Sequence, residues 1–85
     1  MSQQWSSPVK LIFSEGSPYR VGDTFVATDC LLRRWPEKSG VFYRKARSAC
    51  LEALEGRVPA YYAREAFIIA ARDAGLLVVE HDLAL

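Results

Sequence analysis

Apolar and polar residues alternate from Val9 to Phe13: Val9, Leu11 and Phe13 fall on one side, Lys10 and Ile12 on the other. That period of two predicts a strand with one buried face. Glu15-Gly16-Ser17-Pro18 then gathers turn-forming residues, and Tyr19-Arg20-Val21 resumes an extended pattern, so the two segments predict a β-hairpin. After it the period changes to that of helices. Asp23 or Thr24 can accept a bond from a free amide at a helix start, and Ala27, Cys30, Leu31 and Trp35 recur at helical spacing up to Pro36. The first helix is therefore predicted from Thr24 to Arg34.

A second helix follows Ser39, a capping residue, with an inward stripe of Phe42, Ala46, Ala49, Cys50, Ala53 and Leu54 that Gly56 closes. Arg44, Lys45, Arg47, Ser48, Glu52 and Glu55 occupy its other side, as a solvated face requires. The third helix begins near Pro59 and ends at Gly75. Ala63, Ala66, Phe67, Ala70 and Ala74 form its narrow seam, with Ile69 at the edge completing the core. Leu76-Leu77-Val78-Val79 is apolar on both faces, which predicts a strand covered on each side or lying mid-sheet. The order β-β-α-α-α-β predicts an α+β, two-layer domain in which a small, mostly antiparallel three-stranded sheet packs against helices. Residues 1–7 are expected to form a flexible tail and 81–85 a short C-terminal tail on this single domain. A three-stranded sheet also leaves two edges through which a pair of copies could join.

Composition narrows the function. The 85 residues are 51% hydrophobic and 25% charged, so one core forms and disorder is excluded. The net charge of +1 supplies no global field toward nucleic acid or lipid. No apolar stretch approaches the ~20 residues of a membrane-spanning helix. Met1-Ser2-Gln3-Gln4-Trp5 lacks the basic and apolar regions of an export signal, so the expected compartment is the cytoplasm. Cys30 and Cys50 sit at apolar helix positions and are expected as reduced packing groups; a regulatory bridge is the alternative if the first two helices meet face to face. With His81 the only histidine, neither a four-ligand zinc site nor a nucleophile-base pair assembles, and no enzyme activity, metal or cofactor is expected.

One segment departs from this bland charge pattern. Arg33, Arg34, Lys38, Arg44, Lys45 and Arg47 face only Glu37 and interleave with Trp35, Phe42 and Tyr43. Such a mixture suits phosphate contacts and base stacking, although basic residues on exposed helix faces more often serve solvation. The second and third helices do not fit a helix-turn-helix, because Glu52 would occupy the position of a small packing residue.

Trp35-Pro36, Gly40 with Tyr43 and Ala46, Cys50, Leu54-Glu55-Gly56, Ala63-Arg64-Glu65-Ala66-Phe67, Ala70-Ala71 and Ala74-Gly75 together resemble the rhizobial domain of unknown function 982 family (DUF982), over Val9 to Val79. The resemblance implies a bacterial origin, a compact fold and a stand-alone protein, and transfers no catalytic residue. Within it Arg64 is the polar residue of interest, expected either to bridge a carboxylate such as Glu52 or to grip an anion. The sequence therefore points to a small non-enzymatic interaction or regulatory module, with a protein partner or self-association through surface aromatics Trp5, Tyr61 and Tyr62. A weak nucleic-acid or phosphate binder using the 33–47 segment, joined by Arg64, is the alternative.

Overall fold

The computed structural model describes residues 2–80. Strands β1 (Gln4–Ile12) and β2 (Pro18–Asp23) form the expected hairpin, followed by helices α1 (Thr24–Arg33), α2 (Val41–Leu54) and α3 (Ala60–Asp73) and strand β3 (Leu77–Val79). The sheet is antiparallel throughout, in the order β2-β1-β3. Leu11 pairs with Tyr19 on one side and Val78 on the other. Because alternate residues point to opposite faces, Val9, Leu11 and Val21 are buried beneath the helices while Lys10, Arg20, Leu77 and Val79 are exposed. Principal extents of 37 × 34 × 17 Å reflect this layered α+β architecture.

Local chemistry accounts for the element ends. The Asp23 carboxylate accepts the Val26 amide at 2.8 Å, a cap worth about 1 kcal/mol. Helices α2 and α3 both close with paired reversed bonds: Arg57 N–H to the Glu52 carbonyl with Gly56 to Ala53, and Leu76 N–H to Ala71 with Gly75 to Arg72. Gly56 and Gly75 supply the positive φ of 79° and 80° that this closure needs. Gly40, not Ser39, is the N-cap of α2, and the Ser39 hydroxyl donates to Glu37 instead.

Three expectations change. Residues Gln4–Ser7 are strand, not tail: the Gln3 carbonyl accepts the Thr24 amide at 3.0 Å, and the buried Trp5 indole donates to Thr24 Oγ1 at 3.2 Å. The β1–β2 register shifts between Gln4 and Val9, a stretch containing Pro8, which has no amide to donate; that irregularity hides the strand from a period-two search. Strand β3 lies at a sheet edge with one covered face, because the longer β1 takes the centre. Finally, α2 and α3 bury Ala46, Ala49, Cys50, Ala53, Ala63, Phe67 and Ala70 as expected but exchange one large apolar residue each. Tyr43 is buried and Phe42 exposed, while Ile68 is buried and Ile69 exposed. The expected tail at 81–85 lies outside the described residues.

The centre of the core is Phe67, with ring centroids 5.7 Å from Trp5 and 5.4 Å from Trp35, both tilted as aromatic quadrupoles favour. Tyr43 completes the aromatic group 6.4 Å from Trp35 and donates its hydroxyl to the Leu31 carbonyl at 2.8 Å. That carbonyl belongs to the last turn of α1, where intrahelical donors run out.

Candidate functional site

Phe42 and Ile69 face outward from α2 and α3. The outer sides of these two helices enclose a groove of about 620 Å³, floored by Ala49 and Ala66 and lined by Val41, Phe42, Tyr62 and Ile69. Val41, Tyr62 and Ile69 are each at least half exposed. A short connection returns α3 antiparallel to α2, so charge varies along the groove: Arg44 and Lys45 lie on the first half of α2, Glu52 in its last turn and Glu65 on α3. A smaller groove of about 420 Å³ between α1 and α2 is lined by Leu31, Leu32, Leu51 and Leu54, with Arg44 and Arg47 at its side.

The basic segment is divided by its own intramolecular contacts. Arg33 pairs with Asp29 at 2.8 Å one helical turn away, and the Arg34 guanidinium lies 4.6 Å from the Tyr19 ring centroid. Lys38 lies exposed in the connection before α2. Arg44 borders both grooves, Lys45 stands over Phe42 at 5.9 Å, and Arg47 stands over Tyr43 at 5.8 Å. Trp35 is buried, so it offers no stacking platform for a base. Trp5, expected as a surface aromatic, is likewise in the core, whereas Tyr61 and Tyr62 are exposed.

Arg64 has a different role from either expectation. Its Nε donates to the Ser7 carbonyl at 2.8 Å, one terminal nitrogen to the Glu80 carbonyl at 2.9 Å, and the other to Glu65 at 3.0 Å. The ion-pair partner is Glu65, not Glu52, and the side chain is only 13% exposed. It spans the seam between β1 and the chain just past β3, beyond the final ladder pair Lys10 with Val79. The guanidinium thus continues the β1–β3 seam where the ladder ends, with all three of its nitrogens engaged inside the fold.

Both cysteines are free and buried. Burial pushes the Cys30 thiol up from 9.0 to about 12 and the Cys50 thiol to about 11, the latter partly opposed by the neighbouring Thr28 side chain. Thiolate attack on an oxidant is correspondingly suppressed, which disfavours a regulatory bridge. The folded chain holds these protons more tightly than the unfolded chain does, so the associated stability is intact below pH 9 and falls as pH rises from there through the folded values. Thiolate absorbance near 240 nm is expected to be small at pH 9.5 in the native protein and large in urea. Equal signals would show that the thiols are not shielded.

Among the described residues, no three His, Cys, Asp or Glu side chains gather as a metal would require. No helix among them is long and apolar enough to cross a membrane. His81 lies outside the described residues.

The sequence profile described as "Protein of unknown function (DUF982)" matches residues 7–78. The chain belongs to the DUF982 family. No curated protein matches this DUF982 chain. Its fold is similar to the NMR structure of Agrobacterium tumefaciens protein Atu1219, with a TM-score of 0.78 at 30% identity, covering 95% of this chain and 81% of that one. The family match spans both helices that form the larger groove and their inward residues Tyr43, Phe67 and Ile68. What the periodicity missed in this DUF982 chain was which of two adjacent apolar residues turns inward. The signal was present in the run Phe67-Ile68-Ile69, because three consecutive helical residues span about 200° and cannot all face one core.

Proposed function

We propose that this DUF982 protein is a small, non-enzymatic interaction module acting in the cytoplasm through the outer α2–α3 face. The carrying observation is the exposure of Val41, Phe42, Tyr62 and Ile69 along one groove, with Arg44, Lys45, Glu52 and Glu65 around it. An apolar centre inside a charged rim is the anatomy of a protein interface. Orientation of a small substrate would instead call for convergent polar groups within the apolar floor.

The second reading, a weak nucleic-acid or phosphate binder, draws on Arg44 and Arg47 beside the α1–α2 groove. One experiment separates the two. Immobilised wild-type protein and the Ile69→Asp variant are exposed to native cell extract with and without nuclease. A protein retained by the wild type, lost with the variant and indifferent to nuclease is expected. Capture that disappears with nuclease would move the assignment to nucleic acid, and equal capture by both chains would remove the groove from the interaction.

A further inference from the structure

The charges around the α2–α3 groove are arranged to complement themselves. Arg44 and Glu52 lie eight residues apart on α2, about 12 Å along the axis, with Ser48 midway. A two-fold axis passing near Ser48 would set two α2 helices antiparallel, each Arg44 facing the other copy's Glu52. At that midpoint the lining is Ser48, Ala49 and Ala66, small side chains that let two helical surfaces approach closely, with Glu65 beside Ala66 paired to Arg64 of its own chain at 3.0 Å. Phe42 and Ile69 lie toward the basic end and Tyr62 toward the acidic end, so the same operation places unlike apolar groups against each other rather than stacking identical ones. Among the described residues, neither Arg44 nor Glu52 has an ion-pair partner in its own chain.

We propose that the occupant of this groove is a second copy of the chain, forming a two-fold symmetric dimer through α2 and α3. The inference rests on the interaction reading above and names its partner. A closed two-fold contact uses the same patch twice, which is why a charge order that reverses along the groove is informative: a heterologous partner would need no such internal symmetry. The area demanded is modest. A stable interface buries about 1,000 Å² or more in total, so each copy contributes roughly a tenth of its 5,425 Å² surface.

Charge reversal tests the geometry. Analytical ultracentrifugation of the pure chain is expected to show a monomer-dimer equilibrium. R44E alone and E52K alone each place like charges together twice per dimer and are expected to weaken dimerisation at least about tenfold. An equimolar mixture of R44E and E52K is expected to recover wild-type association, because the mixed dimer has opposite charges at both contacts. Ile69→Asp, at an exposed apolar position, gives the loss by an independent route, and circular dichroism checks that each variant is folded.

A wild-type chain that stays monomeric into the millimolar range overturns the proposal, while the interaction reading then stands or falls on the extract experiment. A dimer that tolerates R44E, E52K and Ile69→Asp places the contact elsewhere, such as the exposed β3 edge, and also overturns it. So does a mixture of folded R44E and E52K that associates no better than either alone.

Discussion

Phe67→Ala is expected to destabilise the protein by about 3–5 kcal/mol, the usual range for removing a buried aromatic ring. Phe67 is fully buried and lies between Trp5 on β1 and Trp35 after α1. The ring therefore joins the strand layer to the helices. For a domain whose total stability falls in a range of about 5–15 kcal/mol, that loss approaches unfolding at the lower end. Urea titration followed by tryptophan fluorescence reads the change directly, since both tryptophans border the deleted ring. Phe67→Leu retains much of the packing volume and is expected to lose less than half as much. A cost below about 1 kcal/mol for the alanine variant would mean that the aromatic trio does not form the packed centre.

The importance of Phe67 was legible in the sequence because α3 carries its small-residue seam on either side of it, at Ala63 and Ala70. Helix boundaries were equally legible where a residue has a distinct backbone role: Gly56 and Gly75 as closures, and the acceptor at Asp23 to within the pair Asp23 or Thr24. Trp5 was not, because its strand has one large apolar residue before an irregular register, too little alternation to announce pairing. The site was harder still. Phe42 and Ile69 look like core residues on hydrophobicity alone, and become groove walls only because Tyr43 and Ile68 take the inward positions. Turned inward, Tyr43 also satisfies the Leu31 carbonyl on another helix, a contact invisible in local sequence. The basic segment was found as a cluster in sequence, but its separation into Arg33 on Asp29, Arg34 on Tyr19 and Arg44 at the grooves depends on tertiary packing.

Arg64→Ala is expected to cost about 2–3 kcal/mol, because charge-assisted bonds to the Ser7 and Glu80 carbonyls are lost together. Part of the loss is the desolvation of acceptors left without that donor, although Ser7 Oγ still reaches the Glu80 carbonyl at 3.1 Å. Arg64→Lys tests the geometry: one ammonium cannot reproduce a planar fork reaching two separated carbonyls, so it is expected to recover less than half of the loss. Salt separates this clamp from the neighbouring ion pair. Bonds from a mostly buried guanidinium to neutral carbonyls should persist in 1 M sodium chloride, where an exposed pair with Glu65 is screened. Glu65→Gln should therefore cost less than about 1 kcal/mol. Hydrogen exchange of the Leu77–Val79 amides should accelerate in Arg64→Ala more than exchange in the middle of α2, since the clamp closes the β1–β3 seam. If Glu65→Gln reproduced the full loss, or high salt abolished it, Arg64 would act through its surface ion pair and the seam would owe its stability to the short ladder alone.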